Sequence, residues 1–146
     1  MAEIDEATRK AIIEGDDAEK LVEAAEKIGK ALATTYRLTT SQIRGIFGTV
    51  RRIEMEWIAP AQQAGHSDKV RRAQREFALL QPRIAYQAKR ERGRGVQALG
   101  DELLPAMKMV LQAKANPDQY YQRFRNFVDF FEAILAYHRA NGGSNS

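Results

Sequence analysis

The 146-residue chain has no cysteine. That excludes a disulfide framework, a thiolate nucleophile, a zinc knuckle and an iron–sulfur cluster. Histidine is nearly absent: His66 sits in a Gly-His-Ser turn and His138 lies near the C-terminus, with no HExxH spacing. No apolar run approaches the ~18 residues of a membrane span, and the acidic, polar start is no signal peptide. No stretch alternates apolar and polar residues between turn signals, and Asn-Gly and Asp-Gly hairpin pairs are missing. Repeats, low-complexity tracts and long linkers are missing too. These absences lead to the expectation of a cytoplasmic protein that touches no membrane and holds no metal or cofactor. A chain of this length forms one domain and buries enough surface to need no staple.

What the chain does have is charge, unevenly spread. The net charge is +4. Residues 1–30 hold 9 acids and 5 bases, residues 31–95 hold 13 bases and 5 acids, and residues 96–146 hold 5 of each. Between Lys69 and Arg94 there are 9 bases and 2 acids. Most charge runs are solvated helix faces. This one is mostly arginine, whose planar fork suits phosphate. The middle block is therefore the candidate polyanion surface, and the acidic first block should avoid it.

Helical spacing runs throughout. A short helix is expected from Asp5 to Glu14, stopping at Gly15, within an acidic, loosely packed N-terminal segment over residues 1–15. Asp16 or Asp17 then caps a helix with Leu21, Val22, Ala25, Ile28 and Leu32 inward. Thr39 opens the next, with Gln42 at capping-box spacing and a stripe of Ile43, Ile46, Phe47, Val50, Ile53 and Trp57, ended by Pro60 and Gly65. Gly45 and Gly48 inside it suggest close approach, by a neighbouring helix first and by a nucleic-acid strand second, since each costs ~1 kcal/mol relative to alanine. Ser67 is expected to cap a fourth segment that Pro82 breaks or kinks. Arg92-Gly93-Arg94-Gly95 forms a basic loop. A helix from Val96 to Leu111 bends near Pro105. Asn116-Pro117 starts the last helix, whose stripe runs from Tyr120 through Phe124, Phe127, Val128, Phe131, Ile134 and Leu135 to His138. Gly142 and Gly143 stop it, and residues 144–146 form a flexible tail. The expected fold class is all-α: a compact single-domain bundle of five or six helices over residues 1–146.

Catalytic chemistry has little to work with. Capping explains Ser41 and Ser67 without a nucleophilic role. Gly45-Ile46-Phe47-Gly48 lacks the strand and third glycine of a phosphate loop. Asp16, Asp17 and Glu19 are helix-start acids, without further ligands at calcium spacing. His138 reads as a partly buried helix-end residue helped by the C-terminal dipole. No catalytic residue is expected. A binding surface is better supported. Arg44, Gly48, Arg51 and Met55 share one helix face, with Arg52 beside it. Arg83, Tyr86, Gln87 and Arg90 share another, flanked by Lys89, and Arg71 and Arg75 form a similar pair. Guanidinium forks take phosphates and a tyrosine ring can stack on a base. Tyr86 is equally explained by packing between Ala85 and Ala88. Nothing reads base sequence.

Three stretches in this order resemble a known family. They are Leu38-Thr39-Thr40-Ser41-Gln42-Ile43-Arg44-Gly45-Ile46-Phe47, then Leu80-Gln81-Pro82-Arg83-Ile84-Ala85-Tyr86-Gln87-Ala88-Lys89-Arg90, then Phe124 to Gly143 with Ala136-Tyr137-His138. Together they are similar to the small helical subunit of the type III-A CRISPR effector, the Csm complex. The resemblance implies a non-catalytic subunit for antiviral defence. Copies would stack head to tail as an inner filament along guide RNA and target RNA. They would touch the guide-binding backbone subunit and the large polymerase-like subunit. By position it assigns Arg44 and Arg90 to RNA phosphates. Arg51, Arg83, Tyr86 and Lys89 join them from helix facing alone. A stand-alone helical adaptor, whose basic face binds an acidic protein or non-specific nucleic acid, is the alternative.

Overall fold

The computed structural model describes residues 2–91 and 93–143. Six α-helices form among the described residues: α1 Glu6–Ile13, α2 Ala18–Thr34, α3 Thr40–Glu56, α4 Ser67–Arg90, α5 Gly95–Leu111 and α6 Pro117–Ala140. A 3₁₀ turn, Pro60–Gln62, lies between α3 and α4. The described residues contain no strand. The fold is all-α, as the periodicity indicates.

Most starts follow local chemistry. The Asp5 side chain accepts from Thr8 N at 2.8 Å, and the Asp17 side chain from Lys20 N at 3.1 Å. Thr39 and Gln42 close the full capping box on α3. Asn116 caps α6 and Pro117 takes its first position. These bonds satisfy N–H groups that a helix start leaves without partners. Ser67 departs from expectation. It is the first residue of α4, and His66 precedes it without a side-chain cap.

Neither interior proline ends its helix, so the break considered at Pro82 does not occur. α4 runs unbroken through Pro82, and α5 through Pro105. Pro82 lies on the exposed side of α4. There water can serve the Ala78 carbonyl that loses its donor, which lowers the cost of an interior proline. The packing of Phe77, Leu80 and Ile84 on one buried stripe holds the two halves in one helix.

The core is assembled around α6. Phe124, Phe127, Val128, Phe130, Phe131 and Ile134 have no exposed area. Trp57, at the end of α3, stacks on Phe124 with ring centroids 4.2 Å apart, and meets Tyr120 edge-on at 4.6 Å. Phe77 of α4 packs edge-on to Phe124 at 5.3 Å and Phe127 at 5.4 Å. One aromatic cluster thus joins α3, α4 and α6. α2 lies along α6 with Gly29 at the closest approach: a Cβ there would fall 2.6 Å from Tyr137 Cβ and 2.8 Å from Ile134 O. Gly45 and Gly48 carry no such contact, with nothing within 4 Å of a built Cβ. The helix approach expected at those two glycines occurs at Gly29 instead.

Polar groups close the remaining seams. The acidic N-terminal segment buries Ile12 and Ile13 completely, and Arg9 is 3% exposed. The Arg9 guanidinium donates to Glu102 of α5 at 3.1 Å, and the Glu3 N–H reaches the other carboxylate oxygen at 2.5 Å. Asn126 donates to the Ile13 carbonyl at 3.0 Å. His138 is fully buried rather than partly so. Its Nε2–H donates to the Leu38 carbonyl at 2.5 Å, tying the end of α6 to the turn before α3. Gly143 lies against its ring, where a Cβ would overlap Cε1. The expected tail, residues 144–146, falls outside the described residues, as does Arg92 of the basic loop.

Candidate nucleic-acid interface

α3 and α4 run antiparallel. Near one end Arg52 Nη2 meets Glu76 Oε1 at 3.4 Å. At the other, Leu38 just ahead of α3 packs on Gly95 just beyond α4, where a Cβ would lie 3.0 Å from Leu38 Cα. Each helix turns its apolar stripe inward, so its arginines face solvent.

On α4 the continuity through Pro82 matters. Arg72, Arg75, Leu79, Arg83, Tyr86 and Arg90 follow one another in steps of three and four, so they form a single exposed stripe. The helix holds seven bases against two acids. Arg72, Arg75 and Arg83 have no ion pair among the described residues. Arg72 and Arg75 border a 410 Å³ cleft shared with Arg52, Glu56, Glu76 and Leu79 of the α3–α4 seam. Arg90 lies over the Tyr86 ring, 5.7 Å from its centroid, and reaches Glu91 at 3.9 Å. Tyr86 is 66% exposed, so it does not pack between Ala85 and Ala88. A cation over an outward-facing ring makes a flat platform suited to base stacking.

The other expected contacts lie elsewhere. Lys89 sits on the opposite flank of α4, in a cleft toward α5 with Ala85, Ala88 and Gln97. Arg44 and Arg51 are on the side of α3 that faces α6. Arg51 is engaged: it donates to Glu54 at 3.1 Å and Glu132 at 3.3 Å, and rides 5.5 Å from the Phe47 ring centroid. Two carboxylates on one guanidinium leave little charge for a phosphate. Arg44 is exposed without an ion pair among the described residues. It borders a small cavity between α3 and α6, which Arg139 also lines. Arg71 pairs with Asp68 at 3.6 Å. Arg72 and Arg139 were not expected. Arg72 was separated from the later arginines by the supposed break at Pro82, and Arg139 needs the α3–α6 packing to be placed.

The Csm2 type III-A family model matches residues 15–144. The chain belongs to the Csm2 type III-A family. No curated protein and no solved structure matches it. Csm2 is a structural small-subunit family, and membership makes the chain a small subunit of the type III-A CRISPR complex, assembled with other Csm subunits. Among the described residues no helix is long and apolar enough to cross a membrane, and no group of His, Asp or Glu gathers at metal-binding spacing. The exposed arginines of α4 form the candidate site.

Proposed function

We propose that this subunit grips the RNA backbone of its complex through the α4 stripe, with Arg83, Tyr86 and Arg90 toward its C-terminal end. The single observation that carries this reading is the unbroken exposed row from Arg72 to Arg90. Sequence is read by pairing in guide-directed complexes, so protein subunits need only contact backbone and shape. A row of guanidiniums with one stacking ring meets that need. Arg44 adds a second phosphate contact on α3, and Lys89 a third toward α5. Arg51 contributes less because Glu54 and Glu132 already hold it. Copies stack head to tail into an open filament in this reading. The role is antiviral defence without chemistry of its own.

Salt tests the reading. Counterion release makes log affinity fall linearly with log salt, by about 0.7 per phosphate contact on a single strand. Binding of a labelled single-stranded RNA is expected to weaken steeply with salt and to ignore sequence. Arg83→Gln with Arg90→Gln is expected to reduce the slope by about 1.4, two contacts' worth. Binding indifferent to salt, or a slope unchanged in the double variant, would contradict the proposal.

A further inference from the structure

We infer that the cavity between α3 and α6 is a seat for one unstacked RNA base, an inference that rests on the RNA reading above. Its volume is about 150 Å³. That is well below the ~300–1,000 Å³ of a site for a whole small molecule, so it admits a single ring or a single side chain. Ile43 and Phe47 of α3 and Leu135 of α6 supply apolar walls. Arg44 and Arg139 also line it, one from each helix. Both are exposed and neither has an ion pair among the described residues. Thr40 also lines the cavity. It is 6% exposed, and its hydroxyl oxygen is buried with no hydrogen-bond partner.

An apolar side chain from a protein would fill the walls but leave both guanidiniums unused. A base inside the cavity uses walls and cations together. Its faces take the apolar walls, and the phosphates on either side of its ribose fall to Arg44 and Arg139. Apolar walls read no base edge, so the seat would hold any base. This also gives Gly48 a purpose that close helix packing does not. It borders the cavity with open space around it, and any side chain there would overhang the opening.

The test compares a uridine hexanucleotide with a base-free ribose-phosphate chain of the same length and charge. Wild-type protein is expected to bind the uridine chain about fivefold to tenfold more tightly, in line with the worth of one sheltered base. Gly48→Leu closes the opening without altering charge, and replaces a helix-weakening glycine, so folding is not at risk. It is expected to bring the uridine chain down to the affinity of the base-free one. Gly45→Leu, the same change outside the cavity, should keep the wild-type ratio. Equal binding of the two chains by wild type, or a ratio that survives Gly48→Leu, would overturn the base seat while leaving the backbone contacts standing. A ratio that survives while Gly48→Leu abolishes self-association would assign the cavity to a protein side chain instead, and so also overturn it. Failure of both chains to bind would overturn the RNA reading as well.

Discussion

Removing Arg9 alone from the Arg9–Glu102 pair is expected to cost the fold about 3–5 kcal/mol, because the Glu102 carboxylate is left buried without its partner. Arg9 is 3% exposed and Glu102 1%. Their 3.1 Å bond joins α1 to α5 across 93 positions of sequence. Burial pushes the Glu102 carboxyl above its ordinary value, against the pull of the Glu3 N–H and of Arg9. The sign follows from linkage. A carboxyl raised in the folded state adds most stability below its ordinary value of 4.5, and that part is lost as pH rises through the raised one. Glu102→Gln should therefore remove this pH dependence, since it fixes the neutral form that burial favours. The double change Arg9→Met with Glu102→Leu should recover most of the loss, since an apolar pair of similar volume needs no desolvation. Urea midpoints of the two single variants and the double variant measure this directly. An Arg9→Met variant as stable as wild type would show that the pair does not hold α1.

The second large effect is a contrast between glycines. Gly29→Ala is expected to destabilise by about 3 kcal/mol, at the upper end for an overpacked core. Its Cβ would enter the backbone of α6, at 2.8 Å from His138 N and from Ile134 O. Backbone cannot step aside as a side-chain tip can, so α2 and α6 must separate. Gly48→Ala should do the opposite and stabilise by about 1 kcal/mol, as alanine does over glycine in a helix with open space around it. Thermal melts should move by roughly 6–12 °C downward for Gly29→Ala and 2–4 °C upward for Gly48→Ala. Shifts of the same sign would show that the α2–α6 approach is looser than 2.8 Å implies.

These cases also mark what could be learned from residue order. Starts written in local chemistry were legible: the Thr39–Gln42 box and the Asn116-Pro117 pair act within four residues. The α6 stripe was legible because one period runs through it. Phe130 was not, although it is wholly buried, because α6 has neighbours on several sides and so buries more than one stripe. The Arg9–Glu102 pair was invisible for a different reason. Each residue alone looks like an ordinary surface charge, and only packing α1 on α5 takes both out of water. The glycines were misplaced because a helical glycine announces close approach without saying which glycine is approached.

For the candidate site the decisive feature was Pro82. Local rules break a helix there, which splits the arginines into two groups. Packing of Phe77, Leu80 and Ile84 overrides that rule and aligns Arg72 to Arg90 in one row. Exposure of Tyr86 is likewise a tertiary result, since Ala85 and Ala88 on either side left both orientations open. Arg51 is the converse. Its spacing qualified it, but Glu132, 81 positions away, occupies it.

Sequencing the RNA that copurifies with the tagged chain from its native cell tests the central claim most directly. The expected yield is short RNAs with a shared repeat-derived 5′ segment and varied spacer segments, reduced when Arg83 and Arg90 are both changed to glutamine. An absence of RNA, or a random sample of the transcriptome, would contradict the account.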